Sequence, residues 1–171
     1  MRRKRSPTHT AASQPRPARR SHAEATGGAK LPQGTACPKC GASYRAGRWT
    51  WQPAPAGARK RICPACERIA ERYPAGVLRV EGKFAAEHRA DLIGLVRNVE
   101  ERECSRHPLK RIMKIANRRN GFVAETTDGK LAQSLGRALH KAYAGELEHP
   151  PTTADTENLV RVRWLRATDT H

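Results

Sequence analysis

No stretch of this 171-residue chain approaches the length of a membrane-spanning apolar run, so an integral membrane protein is excluded. Aromatic residues are scarce at 5%, with only 2 Phe. That leaves little for the aromatic platform with which sheet-type RNA readers stack bases. Acids are few: 16 Asp and Glu stand against 33 Lys and Arg, a formal charge of +17. Such a balance favours polyanionic partners, nucleic acid or an anionic membrane surface, and says nothing of fold. There is no phosphate-cradling glycine loop, nucleophile elbow or HExxH, so no catalytic set is visible and an enzyme is not expected. The basic N-terminus has no apolar segment behind it, which argues against a secretory signal and for a cytoplasmic protein.

Against these absences stand two cysteine pairs, Cys37-Pro38-Lys39-Cys40 and Cys63-Pro64-Ala65-Cys66. A two-residue gap lets both thiolates of a pair reach one ion from a tight turn, and two such turns complete a tetrahedron. Gly41 follows the first pair, where backbone amides must approach sulfur and a small residue tolerates the dihedrals. The separation of the pairs matches four-cysteine zinc sites. Two disulfides would need an oxidising compartment, and a thioredoxin-like site needs one CxxC in a strand–helix unit. Iron–sulfur clusters use the same four thiolates. Structural zinc on Cys37, Cys40, Cys63 and Cys66 is the expected cofactor. Four ligands leave no open position for substrate, and the metal supplies about 10–16 kcal/mol of apparent binding free energy to a small module. Cys104, the odd cysteine, reads as a free thiol on a helix.

The chain divides into three segments. Residues 1–34 mix Arg, Pro, Ser, Thr and Ala with almost no large apolar residues, a composition expected to remain a disordered basic tail. Its runs Arg2 to Arg5 and Arg16 to Arg20 suit phosphates without sequence preference. Residues 35–74 form the zinc-ribbon module, expected as short strands. Between its knuckles lie Arg45, Arg48, Trp49, Trp51, Arg59, Lys60 and Arg61. Arg and aromatic side chains together stack on unpaired bases. Trp49 and Trp51, two apart, are expected on one strand face. They also fit a second role, as the miniature core of a module with little else to bury.

Residues 75–171 carry the periodicity of a folded α+β domain. Val77 to Glu81 alternates as a strand, and Leu92, Leu95, Val96 and Val99 stripe one helix from about Ala85 to Arg106, with His88 on its buried side. Asn120-Gly121 joins Arg111–Ala116 and Phe122–Thr127 as a hairpin. Asp128 or Thr127 caps a second helix carrying Leu131, Leu135 and Leu139. A Pro- and Thr-rich loop then precedes a last strand over Leu159–Arg166. Strand, helix, strand, strand, helix, strand is the βαββαβ, ferredoxin-like layout, with two helices on one face of a four-stranded antiparallel sheet. Arg79, Arg161 and Arg163 fall on its open face, where cross-strand pairing with Glu81 and Glu125 is expected.

The pieces CPKCGASY, AGRWTW, CPACERIAERYPAG, HPLKRIM, ETTDGKLAQSLGRALHKAYAGEL and VRVRW together resemble a bacterial family of small zinc-ribbon proteins. The knuckles are also distantly similar to the zinc-binding N-terminal part of the large-ribosomal-subunit export adaptors. That second resemblance implies zinc ligation by Cys37, Cys40, Cys63 and Cys66, and a ribosomal or RNA partner. The expected function is a zinc-stabilised, non-enzymatic RNA-binding protein. A DNA-binding regulator of zinc-ribbon type is the alternative, although no helix-turn-helix or finger helix is visible. A protein-interaction adaptor working through a sheet edge is another.

Overall fold

A computed structural model describes residues 31 to 151 and 159 to 167. The tail up to residue 30 and most of the Pro- and Thr-rich loop lie outside the described residues. Contacts divide the chain into Met1–Lys30 and Leu31–His171, and every element below belongs to the second unit. Its described residues form a mixed α and β structure of a hairpin, four helices and a five-stranded sheet.

The hairpin pairs β1 (Ser43–Arg45) with β2 (Arg48–Thr50). The second knuckle itself opens α1 (Pro64–Glu71), an eight-residue helix that carries Cys66 where only short strands were expected. Its start is set by Cys63 in extended geometry with Pro64 at the first helical position, where proline's fixed φ is already helical.

The large sheet holds β3 (Gly76–Glu81), β4 (Ile112–Arg118), β5 (Gly121–Thr126), β6 (Glu146–Glu148) and β7 (Val160–Leu165) in the order β4-β5-β3-β7-β6. The β4–β5 hairpin turns at Arg119-Asn120, and Gly121 follows at φ 142°. A Cβ at Gly121 would lie 1.9 Å from the Val80 carbonyl oxygen, so no other residue fits there. β3 is antiparallel to β5 but parallel to β7, and β6 runs antiparallel to β7 on the outer edge.

This departs from the expected four antiparallel strands. The cause is local. Glu146-Leu147-Glu148 has one apolar residue and two charges, which suit an edge. Val160, Val162 and Trp164 need neighbours on both sides, so β7 enters between β6 and β3 and buries Val162 and Trp164 to 1% and 0% exposure.

Two further helices follow β3: α2 (Lys83–Glu87) and α3 (Arg89–Arg106). The single helix expected from Ala85 is therefore broken at His88, whose backbone sits at φ −105°, ψ 25°. His88 is not a core histidine: its side chain is half-exposed and stacks on buried Phe84 at 4.2 Å. The last helix, α4 (Gly129–Tyr143), is capped by Asp128, whose carboxylate accepts from the Leu131 amide at 2.9 Å.

α3 and α4 deliver Leu92, Val96, Leu131, Leu135 and Leu139 onto Leu78, Val80, Phe122, Val162 and Trp164 to make the main core. The Trp164 indole donates to the Ala144 carbonyl at 2.7 Å, which satisfies its one polar atom. On the opposite face Arg79 is exposed, while Arg163 is tied to Glu81 at 2.8 Å and Glu148 at 3.0 Å. Those pairs hold much of that face as a solvated surface. Among the described residues, no helix is long and apolar enough to cross a membrane.

Candidate metal centre

The knuckles meet because Ala36 bridges two segments. It pairs with Ser43 on one side and Lys60 on the other, through the Ala36 amide to Arg59 O (2.8 Å) and the Arg61 amide to Ala36 O (2.9 Å). This brings the chain just before Cys63 beside the chain just before Cys37. The first knuckle closes through the Gly41 amide to Cys37 O at 2.9 Å and the Cys37 amide to Ala42 O at 2.8 Å. Gly41 has φ 80°, the left-handed value a side chain resists.

The sulfurs of Cys37, Cys40, Cys63 and Cys66 lie within 4.8 Å of one another, and all four cysteines are free. Cys40 Sγ to Cys63 Sγ is 3.7 Å. A tetrahedron with metal–sulfur bonds of about 2.3 Å has sulfur–sulfur edges of about 3.8 Å. The donor set and its spacing therefore fit a metal ion with four thiolate ligands and no open position.

The surroundings prepare part of that charge in advance. Burial opposes ionisation of Cys37, but amides of Cys63, Cys40 and Lys39 aim at its sulfur and bring the thiol down to about 6. The Cys63 amide stands 3.3 Å from it. Burial instead pushes the thiols of Cys63 and Cys66 up. A cation is what makes the full set of thiolates affordable.

A residue that spacing did not reveal completes the surroundings. Arg111, just ahead of β4, points its Nη1 at Cys66 Sγ at 3.4 Å and donates from Nε to Pro108 O at 2.7 Å. Burial works against its charge, yet the sulfurs of Cys40 and Cys66 outweigh that and hold the guanidinium more firmly protonated. Its backbone is fixed through the Arg111 amide to Thr127 Oγ1 at 2.9 Å, and Thr127 Oγ1 donates to Leu109 O at 2.6 Å. A divalent ion with four thiolates is a dianion, and Arg111 offsets part of that charge in a half-buried setting.

The tryptophans divide, because β2 ends at Thr50. Trp49 is buried to 8% exposure in the knuckle core, edge-on to Tyr44 at 5.8 Å. Trp51 lies beyond the strand and is 42% exposed. Its indole donates to Cys104 O at 2.6 Å and lies 5.5 Å from the Arg111 guanidinium. The expected shared face is not formed.

Of the predicted basic residues, Arg45 donates to Pro53 O and braces the loop after β2, while Arg48, Arg59, Lys60 and Arg61 are exposed. Arg48 lines a cavity of about 470 Å³ together with Arg106, His107 and Lys110 from the turn between α3 and β4; Arg59, Lys60 and Arg61 do not line it. That turn and Arg111 share one basic stretch ending in HPLKRIM. The clustering of charge just after a helix-stopping Pro108 was the available signal.

Comparison with protein-family models, with curated proteins and with solved structures finds no match to the chain.

Proposed function

We propose that the protein is a zinc-stabilised, non-enzymatic RNA-binding protein that acts on ribosomal or another structured RNA. The observation that carries this reading is the union of a closed four-sulfur site with exposed cations on the loops it ties together, Arg48 on β2 and Arg59, Lys60 and Arg61 before the second knuckle. The site offers no coordination position for a substrate, so its role is to hold shape. A single ion is favoured over a cluster of several because all four sulfurs lie within 4.8 Å of one another, and zinc is the single ion that four-cysteine structural sites most often hold. The charge of +17 supplies the long-range attraction. The resemblance to export-adaptor knuckles points the same way.

Binding of metal-loaded protein to ribosomal RNA, measured by filter retention at rising salt, tests the reading. The logarithm of the affinity should fall linearly with the logarithm of salt concentration, with a slope of about −0.7 per single-strand phosphate contacted. Absent binding, or binding indifferent to salt, removes it.

A further inference from the structure

We infer that the cavity between β2 and the α3–β4 turn seats one unpaired nucleotide of a single RNA strand. The inference rests on the RNA-binding reading and deepens it by naming the contact. Three parts of the chain far apart in sequence build this cavity of about 470 Å³, the Gly47–Thr50 stretch, the Arg106–Lys110 turn and Asp128. A volume of that order takes a small ligand of nucleotide size.

Its walls are of two kinds. Half-buried Leu109, with what remains exposed of the largely buried Trp49 and Pro108, forms an apolar side, against which a base released from a duplex can lie. Arg48 and Arg106 form the cationic side, both exposed and neither in an ion pair among the described residues. Lys110 is committed to Glu103 at 2.5 Å, and Asp128, the acid at the cavity, has one oxygen engaged by the Leu131 amide at 2.9 Å. The two guanidiniums, with the exposed His107 beside them, are thus left to face phosphate oxygens, and the arginines offer the forked geometry that binds them.

A base in a duplex is stacked and its face is covered, so the apolar wall has nothing to meet. The cavity therefore selects unpaired RNA. Because Arg48 rides on the hairpin beside the knuckles and Arg106 ends α3, the two walls keep their separation only while the knuckles are assembled.

The test uses the full metal-loaded chain and fluorescence anisotropy with a short labelled unstructured RNA, alone and annealed to its complement. The double variant R48A/R106A is compared with R118A/R119A, which removes the same charge from the exposed β4–β5 turn. Metal content and circular dichroism check both. R48A/R106A should weaken single-strand binding roughly hundredfold, about tenfold per lost charge-assisted contact, and flatten the salt slope by about 1.4. R118A/R119A should weaken it less than tenfold, and the wild type should prefer the single strand.

Equal losses in the two variants, no loss in R48A/R106A, or equal binding of duplex and single strand overturns the cavity assignment while RNA binding stands. No salt-dependent binding of any RNA by the wild type removes the underlying function and the inference with it. Should R48A/R106A not fold, a photoreactive version of the same RNA on the wild type decides. Cross-links in residues 47–50 and 106–110 support the site, and cross-links confined elsewhere overturn it.

Discussion

Replacing Arg111 by alanine should loosen the metal centre without touching a ligand. Three interactions go at once: the charge-assisted contact to Cys66 Sγ at 3.4 Å, the bond to Pro108 O at 2.7 Å, and the guanidinium beside the Trp51 ring at 5.5 Å. A charged hydrogen bond contributes about 1.5–3 kcal/mol and a neutral acceptor about 1 kcal/mol. The ring contact adds about 0.5–1 kcal/mol at a partly exposed site. These share one side chain and do not add fully, so a loss of about 2–4 kcal/mol is expected. For a protein of this size, 1 kcal/mol moves Tm by about 2–4 °C, which puts the shift at roughly 5–15 °C. Part of it should appear as metal affinity, about tenfold weaker in competition with a chromogenic chelator. Arg111→Lys keeps the charge but loses the fork, and should fall between the two. A variant Arg111→Ala with unchanged Tm and unchanged metal affinity refutes the reasoning.

Stripping the metal should expose the stretch between Cys37 and Cys66 to cutting in limited proteolysis ahead of the large sheet, since four unlinked cysteines replace a cross-link; protection that survives chelation contradicts this. Metal binding must displace protons from Cys63 and Cys66, whose thiols burial pushes up, so apparent affinity should rise with pH across the neutral range. A pH-independent competition titration contradicts that linkage. Gly136→Ala would place a Cβ 2.6 Å from Val162 Cγ1 and 2.9 Å from Leu147 Cδ1. The roughly 1 kcal/mol of helix propensity it gains should be outweighed by about 1–3 kcal/mol of overpacking, and a higher denaturant midpoint would disprove this. Asp128→Ala removes the cap on α4 and should cost about 1 kcal/mol by chemical denaturation; no change would mean that the Leu131 amide finds water instead.

What could be read in the residues was whatever physics keeps local. The knuckles were legible because a thiolate pair must sit two residues apart, and α4 because its leucines repeat at helical spacing behind a capping aspartate. The break at His88 was not, since it goes with the burial of Phe84 under Trp164 and Tyr143, residues distant in the chain. Nor was β6, three residues whose strand character comes only from lying beside β7. The direction of β7 followed from that neighbour, so sequence order alone implied the wrong sense. Arg111 escaped for a similar reason. It stands 45 positions from Cys66, and nothing in a list of basic residues separates the one aimed at sulfur from those aimed at water. Trp49 and Trp51 parted because the strand stops between them, a boundary set by the hairpin's length.

The insertion of β7 has a consequence for biogenesis. During translation β3, β4 and β5 leave the ribosome well before β7, and until β7 arrives one flank of β3 stays open with unpaired amides and carbonyls. A nascent chain stalled ahead of Val160 would carry a sticky, half-built sheet. Delivery of one late strand thus decides whether the open flank of β3 is closed from within the chain or left to pair with another.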